Sequence, residues 1–327
     1  MGVTAASITV VVPYYNEENN LTYLLEQLAG QTLPPHEVIL VNSGSTDGSS
    51  RLVDEWIDAY RGGIRFRNLH ASTSTPGGSK SAGVKHTTSD LLAFMDCGLS
   101  FPNDWLQRQF ALLENTESDW VSGVCRTTGI NLVDKSAIAH TYGYLSARPV
   151  IPGSLVRRRV FDQIGLFKDL RAGYDAEWAR ASQRAGLTRM VNQEVVVEYR
   201  TVNFASDIRG VFLKSFLYAC ASVGRSDTVT PYIYVLLLFL GLATAIMSFA
   251  DLVPTIFLAG TVLLYLVVRL VIASRKSKGI MFFCGSVTRL TVLILVGLVM
   301  DFGKGFGFAH GLLRRLLRGG SPRFSAI

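Results

Sequence analysis

One aspartate, Asp96, stands where the sequence could place a carboxylate at the mouth of a ligand cleft. It ends a short apolar run, residues 91–95, which is bounded by polar residues and followed by Gly98. Such a run is typical of a buried parallel strand, and ligands of open α/β sheets bind beyond the carboxyl ends of the strands. A carboxylate in that place can hold a divalent cation on a phosphate group. The alternative role is to cap the next turn.

A segment rich in glycine and serine, residues 76–85, adds a second set of groups that could bind phosphate. It enters a predicted helix and carries Lys80. Backbone N–H groups at the start of a helix, helped by a lysine, can meet a diphosphate. The segment fits neither a P-loop nor a dinucleotide-binding fingerprint, so this pattern alone does not specify the ligand.

The elements that must position these groups alternate between strands and helices. Apolar runs predict strands at residues 8–12, 38–41, 64–69 and 120–125. Together with the run before Asp96, this order predicts a mostly parallel sheet with helices on both faces. Asn16 is the predicted N-cap of the first helix, and Tyr15 beside it offers an aromatic platform. Residues 133–147 are predicted to form a later helix.

Four short motifs lie along the first third of the chain. They are VVPYYNE at residues 11–17, VNSGSTDG at 41–48, KSAG at 80–83 and FMDCG at 94–98. In composition, order and spacing they resemble the motifs of family 2 glycosyltransferases, and the resemblance covers about residues 7–200. It implies an α/β domain of the GT-A fold that transfers a sugar from a nucleotide donor.

The resemblance also implies which side chains bind the nucleotide-sugar. They are Pro13, Tyr15, Glu17, Asn42, Ser43, Asp47, Lys80 and Asp96. Asp96 would be the first carboxylate of the metal-binding Asp-x-Asp and would hold Mg²⁺ or Mn²⁺, and Lys80 would lie near the diphosphate. Two positions depart from the family pattern. Asn42 stands where an Asp is usual, and Gly98 replaces the second Asp, so one carboxylate remains of the usual two.

By the same resemblance, Asp175 aligns with the general base of the family. The family pattern is Glu-Asp-x-Glu/Asp-Leu-x-x-Arg, and Tyr174 replaces its leading Glu. An acceptor hydroxyl has a high pKa, so it needs a base that takes its proton as the new bond forms. Direct displacement at the anomeric carbon would invert the configuration. The alternative role for Asp175 is the N-cap of the helix that carries Trp178.

The basic excess of the chain, a formal net charge of +7, is better explained by membrane topology than by nucleic-acid binding. Much of it lies beside apolar blocks, and the sequence contains no recognised nucleic-acid motif. The arginines at residues 157–159 are either a solvated surface cluster or a group near phosphate or lipid head groups.

Four cysteines without paired spacing argue against a zinc site and a disulfide framework, and they fit a reducing cytosol.

The C-terminal part of the chain is apolar in blocks long enough to cross a hydrocarbon core of about 30 Å. Spans are predicted at about residues 232–250, at 253–273, and at 280–300 or 290–312. The second contains Arg269, and Arg289 in the third costs about 2.5–3.5 kcal/mol on insertion scales. The basic loop after the second span should face the cytosol. The N-terminus lacks the basic region of a signal peptide, so we expect the catalytic domain to face the cytosol as well.

The sequence therefore predicts three regions. They are a GT-A catalytic domain at residues 1–204, an amphipathic membrane-surface helix with linker at 205–228, and a transmembrane region with a basic tail at 229–327. A buried helix of the soluble domain is the alternative for the middle region. For the tail, either it is an exception to the positive-inside rule or residues 311–318 return to the inner surface.

We expect a multi-pass protein of the inner (cytoplasmic) membrane that acts as an inverting glycosyltransferase in cell-envelope or exopolysaccharide synthesis. Its expected partners are a UDP-, GDP- or dTDP-linked sugar, a divalent cation, a lipid-linked saccharide acceptor and the membrane; a second copy of the chain is a candidate. One alternative is a polyprenyl-phosphate glycosyltransferase, whose ionised acceptor needs no base. An alternative of another class is a non-catalytic membrane scaffold with a decayed site, which Gly98 and Tyr174 would support.

Overall fold

The computed structural model describes residues 7–73, 75–171, 173–200, 204–223, 241, 243–250 and 255–318. These residues form two compact units. The sheet unit comprises the residues up to 126 together with residues 147–200. The helical unit comprises residues 127–146 and those from 204 onward. The connection between two strands of the sheet therefore belongs to the helical unit.

The strands are β1 (Ile8–Tyr14), β2 (Glu37–Asn42), β3 (Arg65–His70), β4 (Leu91–Phe94), β5 (Leu99–Ser100), β6 (Trp120–Arg126), β7 (Ala147–Arg157) and β8 (Arg189–Tyr199). The helices of the sheet unit are α1 (Glu18–Ala29), α2 (Ser49–Ala59), α3 (Pro76–Lys85), α4 (Trp105–Asn115), α6 (Arg158–Ile164) and α7 (Tyr174–Arg184). Those of the helical unit are α5 (Leu132–Thr141), α8 (Ile208–Ser222), α9 (Thr255–Lys276), α10 (Met281–Cys284) and α11 (Val287–Arg318).

All of these strands join one sheet in the order β3-β2-β1-β4-β7-β6-β8-β5. The first four are parallel, with Val10 opposite Val38 on one side and Ala93 on the other. Parallel neighbours need a crossover, which α1, α2 and α3 supply. β7 runs antiparallel to β4 and β6, whereas β8 is parallel to β6. The mostly parallel α/β sheet predicted from the sequence is confirmed.

The central strands are apolar without alternation because helices cover both faces of the sheet. Val10 and Val12 pack into one cluster with the leucines of α1, while Val11 packs into another with Val84 of α3. Successive side chains of a strand point to opposite faces, so both faces of β1 need apolar residues. All three valines are fully buried.

The predicted helix at residues 133–147 is wrong at its C-terminal end. Helix α5 ends at Thr141, and the chain then passes through Gly143 and Leu145 with positive φ values of 92° and 57°. Strand β7, which follows, had no strand prediction because Pro149 and Pro152 are typical of loops. Prolines are tolerated near irregular pairing, and the β6–β7 register shifts between Val121 and Gly123.

Each of the three arginines at residues 157–159 bonds to the sheet unit, and their partners are the Ser118 carbonyl at 3.0 Å, the Ser89 carbonyl at 2.6 Å and the Asp119 carboxylate at 2.9 Å. Arg159 is also exposed to solvent. These contacts hold the turn between β7 and α6 against neighbouring segments of the sheet unit.

In the helical unit, α8 packs against the C-terminal half of α11 along a ridge of glycines. Gly303, Gly307 and Gly311 lie against Phe212, Phe216 and Cys220, respectively. Both sets advance by four residues in the same direction, so the two helices run parallel. The Cys220 thiol donates to the Gly307 carbonyl at 2.9 Å, which shows how closely the backbones approach. One face of α8 is therefore buried within the helical unit, while Leu213 and Leu217 stay exposed.

A buried ion pair accounts for the arginine within the second predicted span. Arg269 of α9 lies 3.1 Å from the Asp301 carboxylate of α11 and donates to the Gly297 carbonyl at 2.9 Å. Tyr265 donates to the same carboxylate at 2.7 Å. Charged groups inside apolar helices normally face partners in this way. The pair therefore locks α9 to α11.

Two helices among the described residues are long and apolar enough to cross a membrane, α9 and α11. They correspond to the second and third predicted spans, with α11 extending beyond either proposed position of the third. Most of the predicted span at residues 232–250 lies outside the described residues. Its described part, residues 243–249, is helical.

We expect Gly307→Ala to destabilise the helical unit by about 1–3 kcal/mol, as overpacking does elsewhere. A Cβ at this position would meet the Phe216 carbonyl oxygen more closely than real Cβ atoms approach backbone atoms. The measurement is the thermal unfolding midpoint in detergent. Gly260→Ala in α9 is the matched control, because its Cβ would have no neighbour within 4 Å. Equal midpoints for the two variants would contradict this packing.

Candidate active site

The first strand delivers Pro13, Tyr15 and Glu17 to the sheet edge where the parallel strands end. Tyr15 is 38% exposed, as an aromatic platform requires. The Glu17 carboxylate accepts from Asn20 at 2.7 Å. Burial raises the pKa of Glu17, and the nearby charges of Asp96 and Asp47 raise it further. The carboxylates carried by three different strand ends therefore lie close enough to interact.

The predicted N-cap role of Asn16 is wrong. Glu17 occupies the N-cap position of α1, and no side-chain cap bond is present there. Asn16 has a positive φ of 53° and accepts instead from the Thr46 N–H at 2.8 Å. Its side chain thus ties the loop after β1 to the loop after β2.

The second strand ends in a loop whose polar side chains mainly hold the backbone in place. Asn42 Oδ1 accepts from the N–H groups of Gly44 at 3.0 Å and Ser45 at 2.8 Å. Asp47 Oδ1 accepts from the Ser49 N–H at 3.0 Å. Hydrogen bonds of this kind outweigh the slight burial of Asp47 and lower its pKa. Like the Asp that is usual at this position, Asn42 has a side-chain oxygen that can accept the hydrogen bonds of the turn.

Ser43, the next residue of this loop, links it to the lysine-bearing helix. Its hydroxyl lies 2.7 Å from the hydroxyl of Ser79, and both serines are buried. Ser79 immediately precedes Lys80 in α3, so this contact sets how the helix approaches the loop. Ser79 was not predicted from the sequence, because a lone serine in a serine-rich segment is not distinctive.

The centre of the candidate site is an ion pair between Lys80 of α3 and Asp96, which follows β4. Lys80 Nζ donates to Asp96 Oδ1, and its side chain is 0% exposed against 26% for Asp96. Lys80 Nζ also donates to the Tyr174 hydroxyl at 3.2 Å. Burial alone would lower the pKa of Lys80, but Asp96 and Tyr174 raise it above its ordinary value. The lysine is therefore a fixed positive charge.

Tyr174 begins helix α7 and is followed directly by Asp175. Its ring packs edge-on against Phe167 at 5.8 Å between centroids. Burial raises the pKa of Tyr174 to about 12; Lys80 opposes the rise, while the negative charges of Asp96 and Asp175 add to it. The sequence marked Tyr174 only as a departure from the family pattern, and its contact with Lys80 was missed.

Asp175 occupies the second position of α7 and is half-buried. The N-cap is Gly173, in the left-handed conformation at φ 75°, and no side-chain cap bond is formed. The alternative prediction, that Asp175 is the N-cap, is therefore wrong. Among the hydrogen bonds and ion pairs of the described residues, none engages its carboxylate, which leaves the carboxylate available to a substrate.

A divalent cation would find only part of its ligand set in this chain. Asp96 Oδ1 is engaged by Lys80, whereas Oδ2 has no hydrogen bond within the described part of the chain. No group of three or more His, Cys, Asp or Glu side chains there is placed to hold a metal. Mg²⁺ is often bound by one or two carboxylates plus substrate phosphates. Asp96 can supply one ligand to such a cation, and phosphate oxygens of the substrate would supply others.

Comparisons with known proteins agree with this geometry. The model of the family described as Glycosyl transferase family 2 matches residues 9–177. The chain is 26% identical over 208 residues to Glycosyltransferase AglE of Haloferax volcanii, covering 60% of this chain and 67% of that protein. It is 27% identical over 123 residues to Putative glycosyltransferase EpsH of Bacillus subtilis, covering 38% of this chain and 30% of that protein.

One solved structure shares the fold. It is the mannosyltransferase PcManGT from Pyrobaculum calidifontis in complex with GDP-Man and Mn²⁺. The TM-score is 0.51 at 16% identity, and the alignment covers 96% of this chain and 88% of that one. This likeness supports the GT-A assignment of the sheet.

We expect Asp96→Asn to destabilise the sheet unit by about 3 kcal/mol, because it leaves a buried ammonium without its counter-charge. The free energy of unfolding in denaturant measures the effect. Asp162→Asn, an exposed carboxylate of α6, is the control and should change stability little. Adding Lys80→Met to Asp96→Asn should restore part of the loss, since both charges are then gone. A double variant less stable than Asp96→Asn would argue against the pair.

Proposed function

This chain belongs to glycosyltransferase family 2 and is an enzyme that uses nucleotide-sugars. On that premise, we propose that it transfers the sugar, with inversion at the anomeric carbon, to a lipid-linked saccharide at a membrane. The observation that supports this proposal is the chain of contacts from Asp96 through Lys80 to Tyr174, the residue before Asp175. It joins Asp96, the proposed donor-binding carboxylate, to the residue that directly precedes Asp175 in α7.

In the proposed reaction, Asp175 takes the proton of the acceptor hydroxyl while the hydroxyl oxygen attacks the anomeric carbon. The bond from that carbon to the diphosphate oxygen breaks, and its electron pair leaves with the nucleoside diphosphate. A base acting in this way contributes roughly 10²–10⁴-fold to the rate. Asp175 suits the role because no hydrogen bond or ion pair of the described residues occupies its carboxylate.

Lys80 would attract the donor's diphosphate by its positive charge, and Asp96 would act on the diphosphate through a divalent cation. The buried ammonium offers a positive pole, which stabilises negative charge most strongly where water is excluded. Mg²⁺ or Mn²⁺, held by Asp96 and the phosphate oxygens, would neutralise part of the charge of the leaving group. The relative with the shared fold was solved with GDP-Man and Mn²⁺, which supports this proposal.

The nucleoside would lie between the ends of β1 and β2, near Pro13, Tyr15 and Glu17 on one side. On the other side, Asn42, Ser43 and Asp47 would form the pocket through the loop that they hold in place. The exposed ring of Tyr15 would stack on the base. Since Asn42 Oδ1 is used by the loop, its amide NH₂ is the group left to face the nucleoside.

The proposal that the acceptor is attached to a membrane lipid is based on the helical unit. Helices α9 and α11 can cross a bilayer, and Leu263, Leu264 and Phe257 of α9 are exposed, as lipid-facing residues would be. A catalytic domain tethered to such helices on the cytosolic face of the inner membrane would act where lipid-attached sugars are concentrated. The donor would be a UDP-, GDP- or dTDP-linked sugar.

We expect Asp175→Asn to lower sugar transfer by about 10²–10⁴-fold, since an amide cannot accept the hydroxyl proton. The assay measures nucleotide release from UDP-, GDP- and dTDP-sugars by full-length protein in detergent, with a bacterial lipid-linked saccharide fraction as acceptor. Asp162→Asn serves as the control and should keep wild-type activity. Undiminished transfer by Asp175→Asn would refute the base assignment. Transfer to undecaprenyl phosphate alone would favour the polyprenyl-phosphate alternative.

A further inference from the structure

Two hydrogen-bond donors at the centre of the site are not used within the protein. The Lys80 ammonium has three N–H groups. One donates to Asp96 and one to the Tyr174 oxygen, which acts there as the acceptor. The third N–H of Lys80 and the O–H of Tyr174 have no acceptor among the hydrogen bonds of the described residues.

Both of these groups are shielded from bulk water. Lys80 is 0% exposed and Tyr174 is 9% exposed. Buried donors are nearly always paired, because an unmet one loses its hydration without compensation. Tyr174 keeps some exposed surface, so its O–H is expected to meet a ligand that enters the site, whereas the fully buried Lys80 acts through its charge.

The hydrogen-bond donor of this group favours a ligand that is rich in acceptors. Asp96 and Lys80 cancel each other, and Tyr174 is neutral, so the trio attracts a cation less than an unpaired carboxylate would. It still presents the Tyr174 hydroxyl as a donor. In the proposed reaction, the ligand part with many acceptor oxygens is the diphosphate.

We infer that the Tyr174 hydroxyl, held in place by Lys80, donates directly to the donor's diphosphate, so that part of nucleotide binding needs no divalent cation. This inference rests on the proposed function and adds Tyr174 to the substrate-binding residues. As the bond to the sugar breaks, negative charge grows on the diphosphate oxygens, and the Tyr174 hydroxyl then binds more strongly. The cation held by Asp96 would share this task instead of carrying it alone.

The test is calorimetric binding of UDP, GDP and dTDP to full-length protein in detergent, with EDTA or with Mn²⁺. Wild-type protein should bind at least one of them in EDTA. Tyr174→Phe should weaken that binding roughly tenfold or more, as losing a hydrogen bond to a charged group does. Mn²⁺ should reduce the difference. The affinity for the matching nucleoside should not change, because it has no diphosphate.

Tyr14→Phe is the matched control. It deletes the hydroxyl of another buried tyrosine, one that donates to Asn68 at 2.7 Å. It should leave the affinities for UDP, GDP and dTDP unchanged, even where stability falls. Tyr174→Glu provides a second variant, since it removes the donor and adds a negative charge beside Asp96. Its nucleotide binding should vanish in EDTA and return in part with Mn²⁺.

Each unfavourable result has a distinct meaning. If wild-type protein binds only with Mn²⁺, or if Tyr174→Phe binds as tightly as wild type in EDTA, the inference is wrong and the proposed function stands. A loss of nucleoside affinity equal to the loss for the diphosphates would show a structural role and would also overturn it. If wild-type protein binds none of UDP, GDP and dTDP in either medium, the proposed function itself fails.

Discussion

The ion pair between Lys80 and Asp96 is the interaction on which the candidate site depends. A fully buried ammonium loses its hydration, and only a well-placed counter-charge with further hydrogen bonds can compensate for that loss. Asp96 provides the charge, and the Tyr174 oxygen provides a second acceptor at 3.2 Å. Three elements, α3, β4 and α7, are thereby held at fixed positions around one nitrogen atom.

The parallel half of the sheet explains why these elements meet. Strands β1, β2 and β4 are adjacent and point the same way, so the residues that follow them converge at one edge. The loops there are tied to one another by short polar contacts, such as Asn16 with Thr46 and Ser43 with Ser79. Rigid loops of this kind position a ligand without spending binding energy on ordering them.

The helical unit obeys the same physical rule in a less polar setting. Arg269 is 4% exposed, and the Asp301 carboxylate and Gly297 carbonyl compensate for its burial. Where there is no charge to satisfy, the helices approach through glycines, as α8 and α11 do at Gly303 and Gly307. Close backbone contact replaces the large apolar side chains that join helices in soluble cores.

The sequence by itself determined the sheet's parallel half, the family, the polar residues at the strand ends and two long apolar helices. These features are local, because each follows from a hydrophobic run or a motif of a few residues. Only the tertiary structure decided that Lys80 pairs with Asp96, that Tyr174 completes the pair, and that residues 127–146 join the helical unit. Those contacts join residues far apart in the chain, and their geometry follows from strand order and helix packing, which periodicity and composition do not encode.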